Sequence, residues 1–219
     1  MHTPPDSCAR MRATGYIGDM GVALRFPRLE RYMRRLPRGL DSYPEYRCKA
    51  SVYQIYADGL DLSAFPFDEV PASVSALLKS PTLPNAWLQE AHVTAVVLAV
   101  LDHRGLDDAA AIRLMDESNE RLLNGRLFRS FMSLASPSIL LTLASRQWGL
   151  IHRGMKFAVE RGTPTRLRID SPEHLHDELI AHATACGIRH ALKMSRAKEP
   201  RVELESYSPT TATYVATWR

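Results

Sequence analysis

The residues of this chain best suited to chemistry are its eight histidines and three cysteines. Trp148 and His152 stand four residues apart, one helical turn. An indole supplies area and an imidazole supplies orientation, which suits a small apolar or aromatic ligand. Trp87 and His92 form a similar pair nearer the N-terminus. These four residues are the candidate ligand-binding set. The structural alternative is a core tryptophan followed by a histidine at a helix C-terminus, where positive charge is favoured. His92 and His103 lie eleven residues apart. That is about three turns and ~16 Å of helix, too far for one metal ion.

His174, His176, His182, Cys186 and His190 crowd into one short segment. His182 and Cys186 share a helix face at i and i+4, and His190 opens the element that follows. Zinc requires three or four donors converging at ~2.0–2.3 Å. His182, Cys186 and His190 are therefore the metal candidates, but no metal or other cofactor is assigned. Cysteine is often a small buried hydrophobe, which is the simpler account of Cys186.

Enzyme motifs are absent. The chain has no Gly-x-Ser-x-Gly string, no Ser-x-x-Lys in a recognisable context, no Gly-x-Gly-x-x-Gly and no P-loop. Glu203 and Glu205 alternate with Val202 and Leu204, as solvent-facing residues of a strand do. No carboxylate pair stands out for acid–base work. The expectation is a module that is not an enzyme.

Periodicity gives the elements that must position these residues. Leu29, Tyr32, Met33 and Leu36 mark an amphipathic helix within Phe26–Leu40, and Ala50–Ala57 reads as strand or helix. Four prolines between residues 60 and 84 leave loop and one short helix near Ala72–Leu78. Helices are predicted over Trp87–His103, Asp108–Asn124, Arg126–Leu134 and from Ser136-Pro137 to His152, with Gly154 as a left-handed stop. The period then switches from 3.6 to 2. Met155–Glu160 and Leu167–Asp170 form a hairpin around Arg161-Gly162-Thr163-Pro164. A helix from Ser171-Pro172 ends at Gly187, and strands follow at His190–Ser195, Val202–Ser206 and Thr211–Trp218. The fold class is α+β: a helical bundle, then an antiparallel sheet built as hairpin, helix and strand meander.

The chain has 219 residues and a formal net charge of +4, with 45% hydrophobic and 24% charged residues. That composition excludes bulk disorder and fibrous repeats. Residues 1–38 carry eight arginines, no lysine and three acids, a local charge of +5, so the rest of the chain sums to −1. Residues 1–40 are read as a basic arm and 41–219 as one α+β domain. Arg28, Arg31, Arg34 and Arg35 could draw the arm toward nucleic acid or an anionic surface, though a solvated tail has the same composition. No apolar run reaches the ~18 residues of a membrane span. Three cysteines make no disulfide framework, and the opening residues lack a signal-peptide pattern. A cytoplasmic protein is expected.

Three stretches carry a resemblance: Leu134–Trp148 (LASPSILLTLASRQW), the step His152-Arg153-Gly154, and the closing Tyr214–Trp218 (YVATW). In these the chain resembles four-vinyl-reductase-type and heme nitric-oxide-binding sensor domains. The turn Asp41-Ser42-Tyr43-Pro44 and the same Ser-Pro…Trp segment are similar to an uncharacterised paralogous family of myxobacteria. The resemblance spans about residues 40–219. It implies a small-molecule-binding or signalling module with an apolar pocket between helices and sheet, and a homodimer. The Tyr-x-Ser-x-Arg string of the heme domains is missing. So is the cysteine cluster of the phenol sensors, since only Cys186 lies in that half. Neither cofactor carries over. The other readings are an interaction adaptor without ligand and association with DNA or a membrane through the arm.

Overall fold

The structure, a computed structural model, describes residues 25–124 and 136–219. It opens with helix α1 (Pro27–Arg35), whose proline occupies the first turn, where its missing N–H removes no intrahelical bond. Phe26, Leu29 and Tyr32 are buried. The Asp102 carboxylate accepts from the backbone N–H groups of Arg28 and Leu29, at 2.8 and 3.1 Å. It also pairs with the Arg28 guanidinium at 3.0 Å, and Asp108 pairs with that guanidinium at 2.6 Å. The arm expected over residues 1–40 is thus packed structure from residue 25 onward. Its apolar stripe has a core to enter, and Arg28 neutralises a buried acid instead of facing a phosphate. Arg31, Arg34 and Arg35 are exposed.

Strands β1 (Pro37–Leu40) and β2 (Arg47–Lys49) follow, then helices α2 (Ser51–Ala57) and α3 (Ala72–Lys79). The ambiguous ASVYQIYA stretch is helical, because Tyr53 and Tyr56 fall on one face and are buried. The predicted helix from Trp87 is split into β3 (Trp87–Gln89) and α4 (Glu90–His103). From Glu90 to Asp102 every residue of α4 except His92 is buried. A helix apolar on all sides becomes a central element, and α4 is packed against α1, α2 and α3. Helix α5 (Asp108–Asn124) matches its prediction. The helix predicted over 126–134 lies outside the described residues.

Helix α6 (Pro137–Ile151) starts as the Ser-Pro signal requires, with the Ser136 hydroxyl accepting from the Ile139 N–H. Leu140 and Leu141 are buried, but Leu143 is exposed. Then come β4 (His152–Arg153), β5 (Lys156–Glu160), β6 (Thr165–Asp170), α7 (Glu178–Met194), β7 (Arg201–Ser208) and β8 (Thr211–Thr217). Helix α7 starts at an Asp177 cap, not at Ser171, and runs through Gly187. The strand expected at 190–195 is therefore the end of that helix.

The fold is α+β with two antiparallel sheets among the described residues. The larger has strand order β5-β6-β8-β7, and the smaller has order β3-β2-β4. The hairpin pairs Phe157 with Ile169 and Val159 with Leu167, as its alternation predicts. Two hydrophobic clusters result. One surrounds α4 and includes Leu29, Tyr32, Tyr53 and Met115. The other lies between the larger sheet and α6 and α7, around Leu167, Ile169, Leu192 and Tyr214. Tyr46 packs against both. The boundary between the clusters is called the seam below.

Candidate functional site

Strand β2 sets the site by backbone pairing alone. Its register with β4 places Cys48 directly opposite His152. Cross-strand partners project to the same face of a sheet, with Cβ atoms ~4.5–5.5 Å apart. On its other edge β2 pairs with β3, and the Glu90 N–H donates to the Tyr46 carbonyl at 2.9 Å. That bond fixes the first residue of α4 beside β2. Residues far apart in sequence so converge, and one donor atom from each of Cys48, Glu90 and His152 lies within 4.8 Å of the others. Among the described residues no other group of three His, Cys, Asp or Glu converges in this way.

The cluster sits at the seam. Cys48 is 0% and Glu90 4% exposed. His152 Nδ1 is 3.1 Å from Glu90 Oε2, and Glu90 also bonds the Cys48 thiol. Burial opposes ionisation of Glu90. The charge and hydrogen bond of His152, with smaller help from His176 and Cys48, overcome it and hold the carboxyl below its ordinary range. Burial pushes the Cys48 thiol well up, and the Glu90 charge pushes it further. A thiol facing a carboxylate, with the imidazole beyond, is in the wrong order to be an activated nucleophile.

The imidazole of His152 stacks on the Trp148 indole, with centroids 4.1 Å apart and planes 18° from parallel. Trp148 stacks in turn on Phe157, 5.2 Å away. The indole Nε1–H is buried and has no hydrogen-bond partner among the described residues. Such an orphan costs ~1–3 kcal/mol. Close by, burial holds the fully enclosed His176 at a pKa of about 4. Its Nε2 is 3.5 Å from the Tyr214 hydroxyl, and its carbonyl accepts from the Tyr207 hydroxyl at 2.8 Å. The Tyr32 hydroxyl donates to the neighbouring Leu175 carbonyl at 3.0 Å.

Of the four ligand candidates, only Trp148 and His152 are brought together. Trp87 pairs with Lys49, one residue along β2 from Cys48, so it faces the opposite side of the small sheet. There its ring lies between the Lys49 ammonium at 4.0 Å and the Arg153 guanidinium at 3.9 Å. His92 is two residues from Glu90, about 200° around α4, and half-buried. Burial lowers its pKa while Asp41 raises it.

His182, Cys186 and His190 all lie on α7 and do not converge as a ligand set. His190 Nε2 bonds the Asp116 carboxylate of α5 at 2.8 Å instead, and Arg189 reaches the same oxygen. Burial raises the Cys186 thiol to about 11. Sequence reading missed Cys48 and Glu90, because their meeting depends on strand pairing. The one available signal was an acid heading an otherwise apolar helix.

No protein-family model matches the chain, and no curated protein matches it. Solved structures do. A structure from work on heme distortion in the H-NOX family has a TM-score of 0.54 and 11% identity, covering 78% of this chain and 95% of that one. A point variant of the T. tengcongensis H-NOX has a TM-score of 0.52 and 11% identity, covering 78% and 97%. An oxygen-binding H-NOX domain related to soluble guanylate cyclases has a TM-score of 0.51 and 11% identity, covering 77% and 92%. The layout implied by the heme nitric-oxide-binding resemblance is thus the layout observed. The myxobacterial likeness rests on its sequence turns alone. The described residues have the fold of H-NOX domains.

Proposed function

We propose that the protein is a small-molecule sensor or signalling module whose ligand binds at the seam, against Trp148 and His152. The buried Trp148 Nε1–H, without a partner among the described residues, carries this reading. It lies where the sheet layer meets the helical body, in a fold shared with oxygen-binding and heme-binding H-NOX proteins. An aromatic ligand bearing an acceptor, such as a phenolate, benzoate or nitroarene, would accept the indole proton at the edge of the stack that Trp148 makes with His152 and Phe157. Binding one arrangement of the seam better than another shifts the helices against the sheet.

Heme, the group named for those neighbours, does not fit the seam as built. The rings of Trp148, His152 and Phe157 already stack face to face there. The Glu90 carboxylate is buried beside them and engaged with His152. A recess of about 450 Å³ lies elsewhere, between Arg25, Arg28, Arg31 and Asp108. No step is assigned to heme.

With Trp87→Phe and Trp218→Phe, Trp148 is the only indole left. Titration with acceptor-bearing aromatics is expected to quench or shift its emission and to raise Tm. Ligand at about 100 times Kd adds ~2.7 kcal/mol of stability. Trp148→Phe keeps an aromatic face but removes the N–H, so affinity falls about tenfold. A panel that changes neither emission nor Tm overturns the reading.

A further inference from the structure

We propose that Cys48, Glu90 and His152 form a binding site for a divalent transition-metal ion of the zinc class. Three donors of three kinds come from three elements and meet at the seam, each within 4.8 Å of the others. Zinc ligands lie ~2.0–2.3 Å from the ion, so they stand about 3.3–3.7 Å from one another in a tetrahedral site. Glu90 and His152 are already 3.1 Å apart. Closing the shell asks each side chain to shift by less than about 1 Å, within the range of rotamer adjustment.

Charge balance favours an ion. Binding converts the Cys48 thiol to thiolate and frees His152 Nδ1 of its proton, and both protons leave to solvent. Thiolate and carboxylate then carry two negative charges, the neutral imidazole none, and a divalent cation cancels them. A thiolate, a carboxylate and an imidazole select a borderline-soft ion over calcium or magnesium. A buried ion pair alone contributes little net stability, so Glu90 at the head of an apolar helix gains little from His152 by itself. Three protein ligands leave a fourth position for water or a small ligand. The His152 side chain, 13% exposed, marks the way in.

The ion would join β2 and α4 of the helical body to β4, which leads into the larger sheet. The site shares the seam with the ligand reading but does not depend on it.

The test is a Co²⁺ titration of the full chain after treatment with chelator. One ion per chain is expected, with tetrahedral d–d bands and a thiolate-to-cobalt charge-transfer band. Cys48→Ser should abolish that band. Glu90→Gln and His152→Gln should each weaken binding by about 100-fold or more. His182→Gln and Cys186→Ser should leave it unchanged. Zn²⁺ should raise the Tm of the unmutated protein, reversibly with chelator, which keeps the proposal testable if a variant misfolds. A missing charge-transfer band, a band that survives Cys48→Ser, or a Tm indifferent to Zn²⁺ overturns the site. The aromatic panel is run in chelator. If it succeeds while cobalt fails, only the metal site falls; the reverse result removes only the ligand reading.

Discussion

Gly154 shows how one residue holds the seam. Its φ is +93°, a region that side chains rarely adopt. A Cβ there would stand 2.6 Å from the Tyr46 ring, the ring that packs on both clusters. Gly154→Ala therefore combines backbone strain with a clash and should cost about 2–3 kcal/mol, read as a lower urea midpoint at unchanged m. An unchanged midpoint would show that Tyr46 moves aside freely. The need for glycine here was legible, because a glycine just past a predicted helix signals a left-handed turn. The thiol and carboxylate beside His152 were not. Local pattern says nothing about which strand Cys48 pairs with, and that pairing is what makes the cluster.

At the scale of elements, α1 and α7 depart most from sequence expectation. The arginine content of α1 suggests a free arm, but Phe26, Leu29 and Tyr32 bury, and Asp102 receives two backbone donors and a guanidinium. The Asp102 side chain is 0% exposed. Asp102→Asn leaves Arg28 only the exposed Asp108 as an acidic partner and should destabilise by about 3 kcal/mol in equilibrium unfolding. A loss below about 0.5 kcal/mol would mean that α1 docks through its apolar face alone. Helix α7 overrides a glycine stop. Its packing on α5 and on the sheet exceeds the ~1 kcal/mol that glycine costs inside a helix. The nearest atoms to a Cβ at Gly187 belong to Asn119, at 3.6 Å, an ordinary contact distance. Gly187→Ala should thus stabilise by about 0.5–1 kcal/mol, seen as a higher Tm. A fall in Tm would reveal that α5 and α7 need the bare backbone. The hairpin, the Ser136-Pro137 helix start and the last two strands were readable, because each depends on neighbours in sequence. Splitting Trp87–His103 into strand and helix depended on β2, a distant partner.

For the whole molecule, acid is the informative stress. His176 is fully buried, and its pKa falls from 6.5 to about 4. The unfolded chain binds its proton more readily, so the stability held by neutral His176 is complete above pH ~6.5. It is lost progressively as pH falls toward 4. At about 1.4 kcal/mol per pH unit, the loss reaches roughly 3 kcal/mol. His176→Gln should flatten that part of the stability profile, whereas an unchanged slope would assign it to other groups. Acid should act across the seam, since the carbonyls of Leu175 and His176 are held by Tyr32 of the helical body and Tyr207 of the larger sheet.

The step from Arg153 to Lys156 has a mechanical consequence. Only Gly154 and Met155 separate β4 from β5. The small sheet and the edge of the large one are therefore geared together over a two-residue fulcrum. A tug on His152 cannot be absorbed as slack. It must appear as a tilt of β5 and, through β6, of the strands beyond.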